Sequence, residues 1–325
     1  MEKDNISKFK NYLPNEDIRR IYNNAFNKTV ENLIITKLSG GMKNSVYLID
    51  DAGTKTVLKV APIDESKMIS VDRGIFWWES IMLKLMEKIC FPAPRLLYYD
   101  DTLKICSSSY IFMTYIDGQN YLECKNNLTQ NARSNIEYEL GLLSAKICQV
   151  KGKDFFLPSY PSKKFNDNFE FVSYLFELLL NDAANINLDL EKDVYNNIRN
   201  ILLIFKESLK NISNLCLCHT DIWDGNILVN NGKIAGIVDF SDLYYCDELL
   251  TFYFHTIDGI TSENFLRGFN NKVLSNDEKI RIEIYRMYVI LKMIVDCKLK
   301  QYGKFDWMYE NLNKRIDNLI KIKRL

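Results

Sequence analysis

The sequence is poor in histidine and lacks the cysteine spacings of common metal centres. It has two histidines in 325 residues, and its eight cysteines form no Cys-x-x-Cys pair. This spacing excludes the usual zinc-binding motifs, and buried free thiols in a reducing cytoplasm are the simplest interpretation of the cysteines. Cys216 and Cys218 lie close together in the chain, and alternate positions on a strand would place both side chains on one face.

The sequence also lacks net charge and long apolar runs. Lysine plus arginine and aspartate plus glutamate both total 42, which argues against a protein that holds nucleic acid by bulk positive charge. No apolar run reaches the length of about 18 residues that a membrane-spanning helix needs. The polar N-terminus has no apolar signal-peptide core. We therefore expect a cytoplasmic chain that binds neither nucleic acid nor membrane.

The composition is globular, with 47% hydrophobic residues, and the length suits one large or two modest domains. A helix capped by Asn15 is predicted first, and residues 1–115 as a whole predict a strand-rich unit with one inserted helix. After Gly118 the apolar residues recur with helical periodicity, and one hairpin interrupts them. We predict an α+β fold with an N-terminal lobe over 1–115, a linker at about 113–118 and a C-terminal lobe over 119–325.

The interrupting hairpin is predicted from Asn231-Gly232, which lies between two apolar runs. Both positions of such a two-residue turn need positive φ, and this dipeptide is a strong signal for that turn. The strands are expected over about Asn226–Asn230 and Lys233–Asp239.

Regular pairing from this turn sets Asn226 opposite Ile237, so that Asp239 points to the same face as Asn226. The open end of the hairpin would then bring an amide and a carboxylate together. Oxygen ligands of this kind suit a hard cation such as Mg²⁺.

Two motifs flank this hairpin. "HTDIWDGN", which begins at His219, has the pattern H-x-D-x-x-x-x-N, and "VDF" places Asp239 thirteen residues after Asn226. Together they resemble the aminoglycoside phosphotransferase family, which includes choline kinase-like and macrolide kinase relatives, over about Leu38 to Phe254. The resemblance implies a two-lobed protein-kinase-like fold, with a small antiparallel-sheet N-terminal lobe plus one helix and a larger, mostly helical C-terminal lobe.

The resemblance also implies roles for the motif residues. Asp221 would accept or orient the proton of the attacking hydroxyl, and His219 would brace the loop. Asn226 and Asp239 would be the Mg²⁺ ligands that neutralise charge on the transferred phosphate. Alternatively, the same residues are a turn-forming Asp, an Asn cap and a strand-end Asp without a catalytic role.

Lys59 in "TVLKVAP" resembles the strand lysine that holds the nucleotide phosphates, and Glu79 in "ESIMLKLM" resembles the helix carboxylate that holds the lysine. A strand lysine that is merely solvated is the alternative. The glycine-rich loop is shortened to "LSGGMKNSVY", and backbone N–H groups from Gly41 to Asn44 would face the phosphates. Alternatively, Gly40 and Gly41 form only a tight turn.

The stretch "YIFMTYIDG" resembles the linker between the lobes. Thr114 and Ile116 would offer backbone groups to adenine, so that ATP (or GTP) would bind here. A plain core strand is the alternative.

The sequence after Asp239 leaves no room for the long activation segment of protein kinases, because a helix is predicted over "DELLTFYFHTI". A small-molecule substrate is therefore expected, and no protein substrate. A group of acidic residues would attract a cationic, amine-bearing substrate, or would simply be solvated. The group comprises Asp224, Asp242, Asp247, Glu248, Asp258 and Glu263.

The prediction from the sequence is an ATP- and Mg²⁺-dependent kinase that phosphorylates a hydroxyl of a small molecule, an aminoglycoside or another amino alcohol. One alternative is a kinase-like binding or assembly protein without transfer activity, as in spore-coat relatives. Another is a sugar, methylthioribose or macrolide kinase, because fold-level analogy does not decide among substrates.

Overall fold

The computed structural model describes residues 10–38, 41, 43–190, 192–252 and 262–323. Its packing divides the chain into two units. The first unit comprises Met1–Lys67, Gly74–Cys124 and Asp224–Ser241, and the second comprises Met68–Arg73, Lys125–Trp223 and Asp242–Leu325. In this division the hairpin belongs to the first unit. The lobe boundary near residues 113–118 stays a prediction.

The first unit contains the strands and the inserted helix that the sequence predicts. In chain order its elements are α1 (Asn15–Phe26), β1 (Ile34–Lys37), β2 (Ser45–Asp51), β3 (Thr54–Val60), α2 (Phe76–Lys88), β4 (Leu96–Asp100), β5 (Tyr110–Thr114), β6 (Gln119–Asn120), α3 (Tyr121–Cys124), β8 (Ile227–Asn230) and β9 (Lys233–Ile237). The first five strands form an antiparallel sheet in the order β1-β2-β3-β5-β4.

Helix α1 forms the core of the first unit with this sheet. Ile18 and Tyr22 of the helix are buried in one cluster with Leu58 and Val60 of β3. Because side chains alternate along a strand, Lys59 between them belongs to the opposite face of the sheet. The predicted Asn15 cap is wrong: Asn15 is already helical, and the extended residue before it makes no side-chain cap.

The second unit is mostly helical. Its elements are α4 (Gln130–Ile147), α5 (Asn168–Asn185), α6 (Lys192–Ile204), α7 (Lys206–Lys210), β7 (Leu215–His219), β10 (Leu243–Asp247), α8 (Glu263–Gly268), α9 (Asn276–Leu299) and α10 (Asp306–Lys323). Strands β7 and β10 pair antiparallel. Among the described helices, none combines the length and apolar character needed to cross a bilayer.

The predicted helix "DELLTFYFHTI" is wrong over its described part. Its first residue, Asp247, ends strand β10, and Glu248–Phe252 form a 3-10 turn. The rest of that stretch lies outside the described residues. Strand β10 was not predicted from the sequence, because the apolar run "LYYC" is short. The strand conformation of this segment depends on pairing with the distant strand β7.

Helices α4 and α8 pack through a pair of glycines. A Cβ on Gly141 would lie 2.2 Å from the carbonyl oxygen of Phe265, and a Cβ on Gly268 would lie 2.1 Å from the carbonyl oxygen of Tyr138. Real Cβ atoms do not approach backbone so closely. The two helix backbones can therefore make this contact only because both positions are glycine.

The hairpin turn is as predicted, but its register is not. Asn231 and Gly232 both have positive φ, at 50° and 73°, and pairing from the turn is regular for two residues. The register then shifts, so that Ile227 and not Asn226 lies opposite Ile237. The predicted Asn226–Ile237 pairing is therefore wrong, because Ala235 is an extra residue that forms a β-bulge.

Candidate active site

The side chain of Lys59 is held by two carboxylates in the first unit. Its Nζ donates to both carboxylate oxygens of Glu79 on α2, at 2.9 and 2.8 Å, and to Oδ1 of Asp239 at 2.8 Å. Lys59 and Glu79 are buried. Of the residues predicted from the sequence, these three are thus brought together, although they come from a strand, a helix and the segment after the hairpin.

The charges around Lys59 keep it protonated. Burial on its own would lower the pKa of the ammonium, but the charges and hydrogen bonds of Asp239 and Glu79 outweigh burial and raise it above its usual value. The Asp239 side chain is 28% exposed and that of Lys59 only 7%, so the accessible carboxylate is that of Asp239.

Asp239 has a backbone conformation that is uncommon for a residue with a side chain, with φ at +68°. Strand β9 already ends at Ile237, so strand alternation does not set the direction of Asp239. Hydrogen bonds hold the segment instead: Ser241 Oγ donates to Asp239 Oδ1 at 3.0 Å, and the Phe240 N–H donates to Glu79 Oε1 at 3.3 Å. Regular hairpin pairing was expected to set the direction of the Asp239 side chain. That expectation is wrong, because these hydrogen bonds hold the segment instead.

Asn226 ends the 3-10 turn Asp224–Asn226 and is 8% exposed. Its carbonyl oxygen accepts from the N–H of Val238 at 2.9 Å, one residue before Asp239. The turn is tied down from β6, because the Asn120 side-chain amide donates to the carbonyl of Gly225 at 2.6 Å. The backbones of the two predicted Mg²⁺ ligands are thus neighbours at the open end of the hairpin.

In the second unit, Asp221 follows strand β7 in a tightly bonded loop. The Asp221 N–H donates to Nδ1 of the buried His219 at 3.2 Å, and the Thr251 hydroxyl donates to the His219 carbonyl at 3.0 Å. The predicted bracing by His219 is therefore present as a hydrogen bond to the Asp221 backbone. The carbonyl of Asp242 accepts from both the N–H and the hydroxyl of Thr220, at 2.8 and 2.9 Å.

A buried ion network continues from this loop, and the sequence did not predict it. Lys292 Nζ lies 2.9 Å from Oδ1 of Asp242 and 3.0 Å from Oδ1 of Asp72. Burial opposes the charge of Lys292, but the two carboxylates raise its pKa well above the usual value. A lysine inside the apolar run "YVILKMIV" of α9 was the available signal, because a lysine that is largely removed from water needs a partner.

Four residues were predicted to contact the nucleotide through their own backbone groups or to flank such contacts, and the structure shows the surroundings of each. Gly41 has φ at +63° with open space beside its Cα, and Asn44 is buried; Gly40 lies outside the described residues. The Thr114 N–H already donates to the carbonyl of Arg95 at 3.0 Å, so it is not open to adenine. The side chain of Ile116 packs on Gly236, where a Cβ would lie 2.5 Å from it.

Three of the acidic residues predicted to attract a cationic substrate are instead paired inside the second unit. Asp242 is bonded to Lys292, Asp247 accepts from the Nε of Arg281 at 2.8 Å, and Glu248 lies 2.9 Å from Lys272 Nζ. For these three the attraction hypothesis is wrong, because internal cations neutralise them. Asp258 lies outside the described residues.

Comparison with known proteins gives one family and several similar folds. The model of the phosphotransferase enzyme family matches residues 34–262. No curated protein sequence matches the chain.

The similar solved structures include two aminoglycoside phosphotransferases and a putative fructosamine-3-kinase. A thermostable mutant of aminoglycoside phosphotransferase APH(4)-Ia, in a ternary complex with AMP-PNP and hygromycin B, is 15% identical with a TM-score of 0.64, over 95% of this chain and 98% of that one. The putative fructosamine-3-kinase from Haemophilus somnus is 16% identical with a TM-score of 0.67, over 94% and 97%. APH(2")-IIa, in a ternary complex with streptomycin and ATP, is 18% identical with a TM-score of 0.62, over 96% and 97%. These likenesses confirm the predicted fold class, the α+β protein-kinase-like fold.

Proposed function

The chain belongs to the phosphotransferase enzyme family, and from that premise we propose that it transfers the γ-phosphate of ATP to a hydroxyl of a small molecule with the help of Mg²⁺. The sequence predicted an alcohol group as the acceptor of the phosphate, and this agrees with membership of the phosphotransferase enzyme family. The observation that carries the proposal is the contact of Lys59 with both Glu79 and Asp239.

Lys59 suits the binding of nucleotide phosphates. Its ammonium is kept charged by the two carboxylates, and the bidentate contact with Glu79 fixes its direction. A cation that is already oriented needs no reorganisation when a phosphate binds, which is how phosphotransferases gain most of their rate. The backbone of Gly41 to Asn44 is the proposed second contact with the phosphates.

The donor set at the end of the hairpin fits Mg²⁺. Asn226 and Asp239 offer an amide and a carboxylate oxygen, the hard ligands that Mg²⁺ prefers. The accessible negative charge of Asp239 favours a cation there. Bound Mg²⁺ would neutralise phosphate charge during transfer.

Asp221 is proposed to accept the proton of the substrate hydroxyl. The bonds of its loop to His219, Asp242 and Thr251 limit the motion of the Asp221 backbone. A carboxylate held in place can hydrogen-bond the hydroxyl and take its proton as the phosphate is transferred.

We propose a small amine-bearing polyol as the substrate, an aminoglycoside or an amino sugar derivative. Only three residues separate Asp239 from β10, which begins at Leu243, so the chain has no long segment there to dock a peptide. The amine preference is supported by the solved structures described above, one bound to hygromycin B, one to streptomycin and one a putative fructosamine-3-kinase. A reducing compartment that supplies ATP, the cytoplasm, suits this activity and a set of cysteines that are mostly buried.

The experiment is a coupled assay of ADP release with Mg²⁺ and ATP against aminoglycosides, fructosamines, choline, macrolides and sugars. The proposal expects turnover that requires both Mg²⁺ and an amine-bearing acceptor, with a phosphorylated product identified by mass spectrometry. Turnover only with neutral sugars would contradict the amine preference. Tight ATP binding without any transfer would favour the non-catalytic alternative.

A further inference from the structure

Four of the cysteines gather on one face of the pair of strands β7 and β10. Cys216 and Cys218 alternate along β7, so they share a face, and Cys246 on β10 lies directly opposite Cys216. Cys148, at the C-terminal end of α4, approaches the same face. All four are buried, with at most 3% of each residue exposed.

The sulfur atoms have the spacing of ligands around a single ion. The Sγ atoms of Cys148, Cys216 and Cys218 all lie within 4.8 Å of one another, and those of Cys216 and Cys218 are 3.7 Å apart. Four thiolates at Zn–S bonds of about 2.3 Å in a tetrahedron have sulfur atoms about 3.8 Å apart. The strand therefore already sets one edge of such a site.

Backbone hydrogen bonds hold Cys148 at this position. The segment that follows α4 runs beside β7, where the Leu217 N–H donates to the carbonyl of Val150 at 2.8 Å and the Gly152 N–H donates to the carbonyl of Leu215 at 3.1 Å. The three thiols are thus preorganised by the fold, and only small shifts of their side chains are needed to converge on an ion.

The surroundings also supply a compensating charge. Three thiolates and a divalent cation sum to one negative charge, which is costly to bury alone. Lys151 lies beside the cluster, with its Nζ 3.1 Å from the carbonyl oxygen of Cys148 and 2.6 Å from the side-chain oxygen of Asn214. One lysine balances the excess charge of the occupied cluster.

We propose that Cys148, Cys216 and Cys218 form a three-thiolate binding site for a soft divalent cation, with zinc as the natural occupant. Each thiol loses its proton to water as its sulfur–metal bond forms, and no oxidation state changes. Thiolates select soft ions, whereas the carboxylate and amide of Asp239 and Asn226 select Mg²⁺. The cluster is therefore a structural centre whose chemistry is independent of phosphate transfer.

The position of the cluster suggests what the metal does. Cys218 directly precedes His219, whose Nδ1 accepts from the Asp221 N–H. A metal bound by Cys216 and Cys218 on β7 and by Cys148 after α4 cross-links the strand that leads into this loop. Because the ion binds only the folded chain, it raises the stability of this strand.

The test uses Cd²⁺ as the probe, because its thiolate complexes have a ligand-to-metal charge-transfer band in the ultraviolet. The full chain is unfolded with a thiol reductant and chelator, both are removed without admitting oxygen, and the chain is refolded with increasing Cd²⁺. We expect a band that saturates at one equivalent, and a rise in melting temperature with either Cd²⁺ or Zn²⁺. No saturable band in the wild-type chain would overturn the proposal, whatever the variants do.

Matched variants locate the site. Cys216→Ala and Cys218→Ala should lose the band and the rise in melting temperature, whereas Cys90→Ser, which removes an exposed thiol, and Cys297→Ser, which removes a buried thiol elsewhere, should keep both. A band that survives in Cys216→Ala and Cys218→Ala but disappears in Cys90→Ser would show surface binding and overturn the proposal. Alanine is used because a small apolar side chain replaces a buried thiol with little disturbance.

Discussion

The ammonium of Lys59 lies 2.8 Å from the carboxylate of Asp239, although the two residues are 180 positions apart in the chain. This contact links the nucleotide-binding lysine of the proposal to its predicted metal ligand. Because Lys59 is also held by Glu79, one buried cation orients the residues that would meet the phosphates and the ion.

Replacing Lys59 should reduce both stability and nucleotide binding. Lys59→Met leaves the buried Glu79 without its cation, and breaking a buried pair in this way costs about 3–5 kcal/mol. Denaturant unfolding measures the first loss and calorimetry with ATP the second. The double variant Lys59→Met, Glu79→Met should regain part of the stability but none of the ATP binding. Recovery of ATP binding in the double variant would contradict the role of Lys59.

Replacing Asp221 should affect turnover alone. Asp221→Asn removes the proton acceptor but keeps the shape of the loop, so kcat should fall by about 10²–10⁴-fold, the usual contribution of a general base. The dissociation constant for ATP should stay unchanged. Asp193→Asn, which removes an exposed carboxylate on α6 of the same unit, is the control and should retain turnover. Equal losses in both variants would show a general effect of lost negative charge.

Lys292 should act as a positioning residue for the loop that carries Asp221. Lys292→Met removes the cation that holds Asp242, whose carbonyl in turn binds Thr220. We expect a lower melting temperature and a lower kcat with an unchanged KM for ATP. Lys298→Met, at an exposed position of the same helix, is the control and should change neither quantity. A raised KM for ATP with normal kcat would contradict the positioning role.

Adding one methyl group at Gly141 should destabilise the second unit. Alanine is favoured over glycine in a helix by about 1 kcal/mol, so an open position would become more stable. At Gly141 the new Cβ meets the Phe265 carbonyl, and such overpacking typically costs about 1–3 kcal/mol. Urea unfolding should therefore show a loss for Gly141→Ala and little change for Leu142→Ala, the exposed neighbour. A gain in stability for Gly141→Ala would show that the helices separate easily.

Local patterns explain what could be predicted from the sequence. The motif resemblance paired Lys59 with Glu79, and the contact between them is present, on the face of β3 away from Leu58 and Val60. The Asn231-Gly232 turn is also present, because the φ requirement of a two-residue turn is a property of the turn itself. The functional roles of these residues stay predictions.

The rest depends on contacts between distant parts of the chain. The bulge at Ala235 accompanies the packing of Ile116 on Gly236, and the positive φ of Asp239 accompanies its bond to Lys59. The pairing of Lys292 with Asp72 and Asp242 joins three segments with no common motif. Neither hydrophobic periodicity nor a short motif predicts such long-range contacts, because each partner is an ordinary residue in its own segment.

The most direct test of the central claim is calorimetric titration of ATP into the wild-type chain and Asp239→Asn, each with and without Mg²⁺. The account predicts that Mg²⁺ strengthens ATP binding to the wild type and that this gain disappears in Asp239→Asn, which keeps the size of the side chain but loses its charge. An equal gain from Mg²⁺ in both proteins would contradict it, because the ion would then not depend on the carboxylate that Lys59 orients.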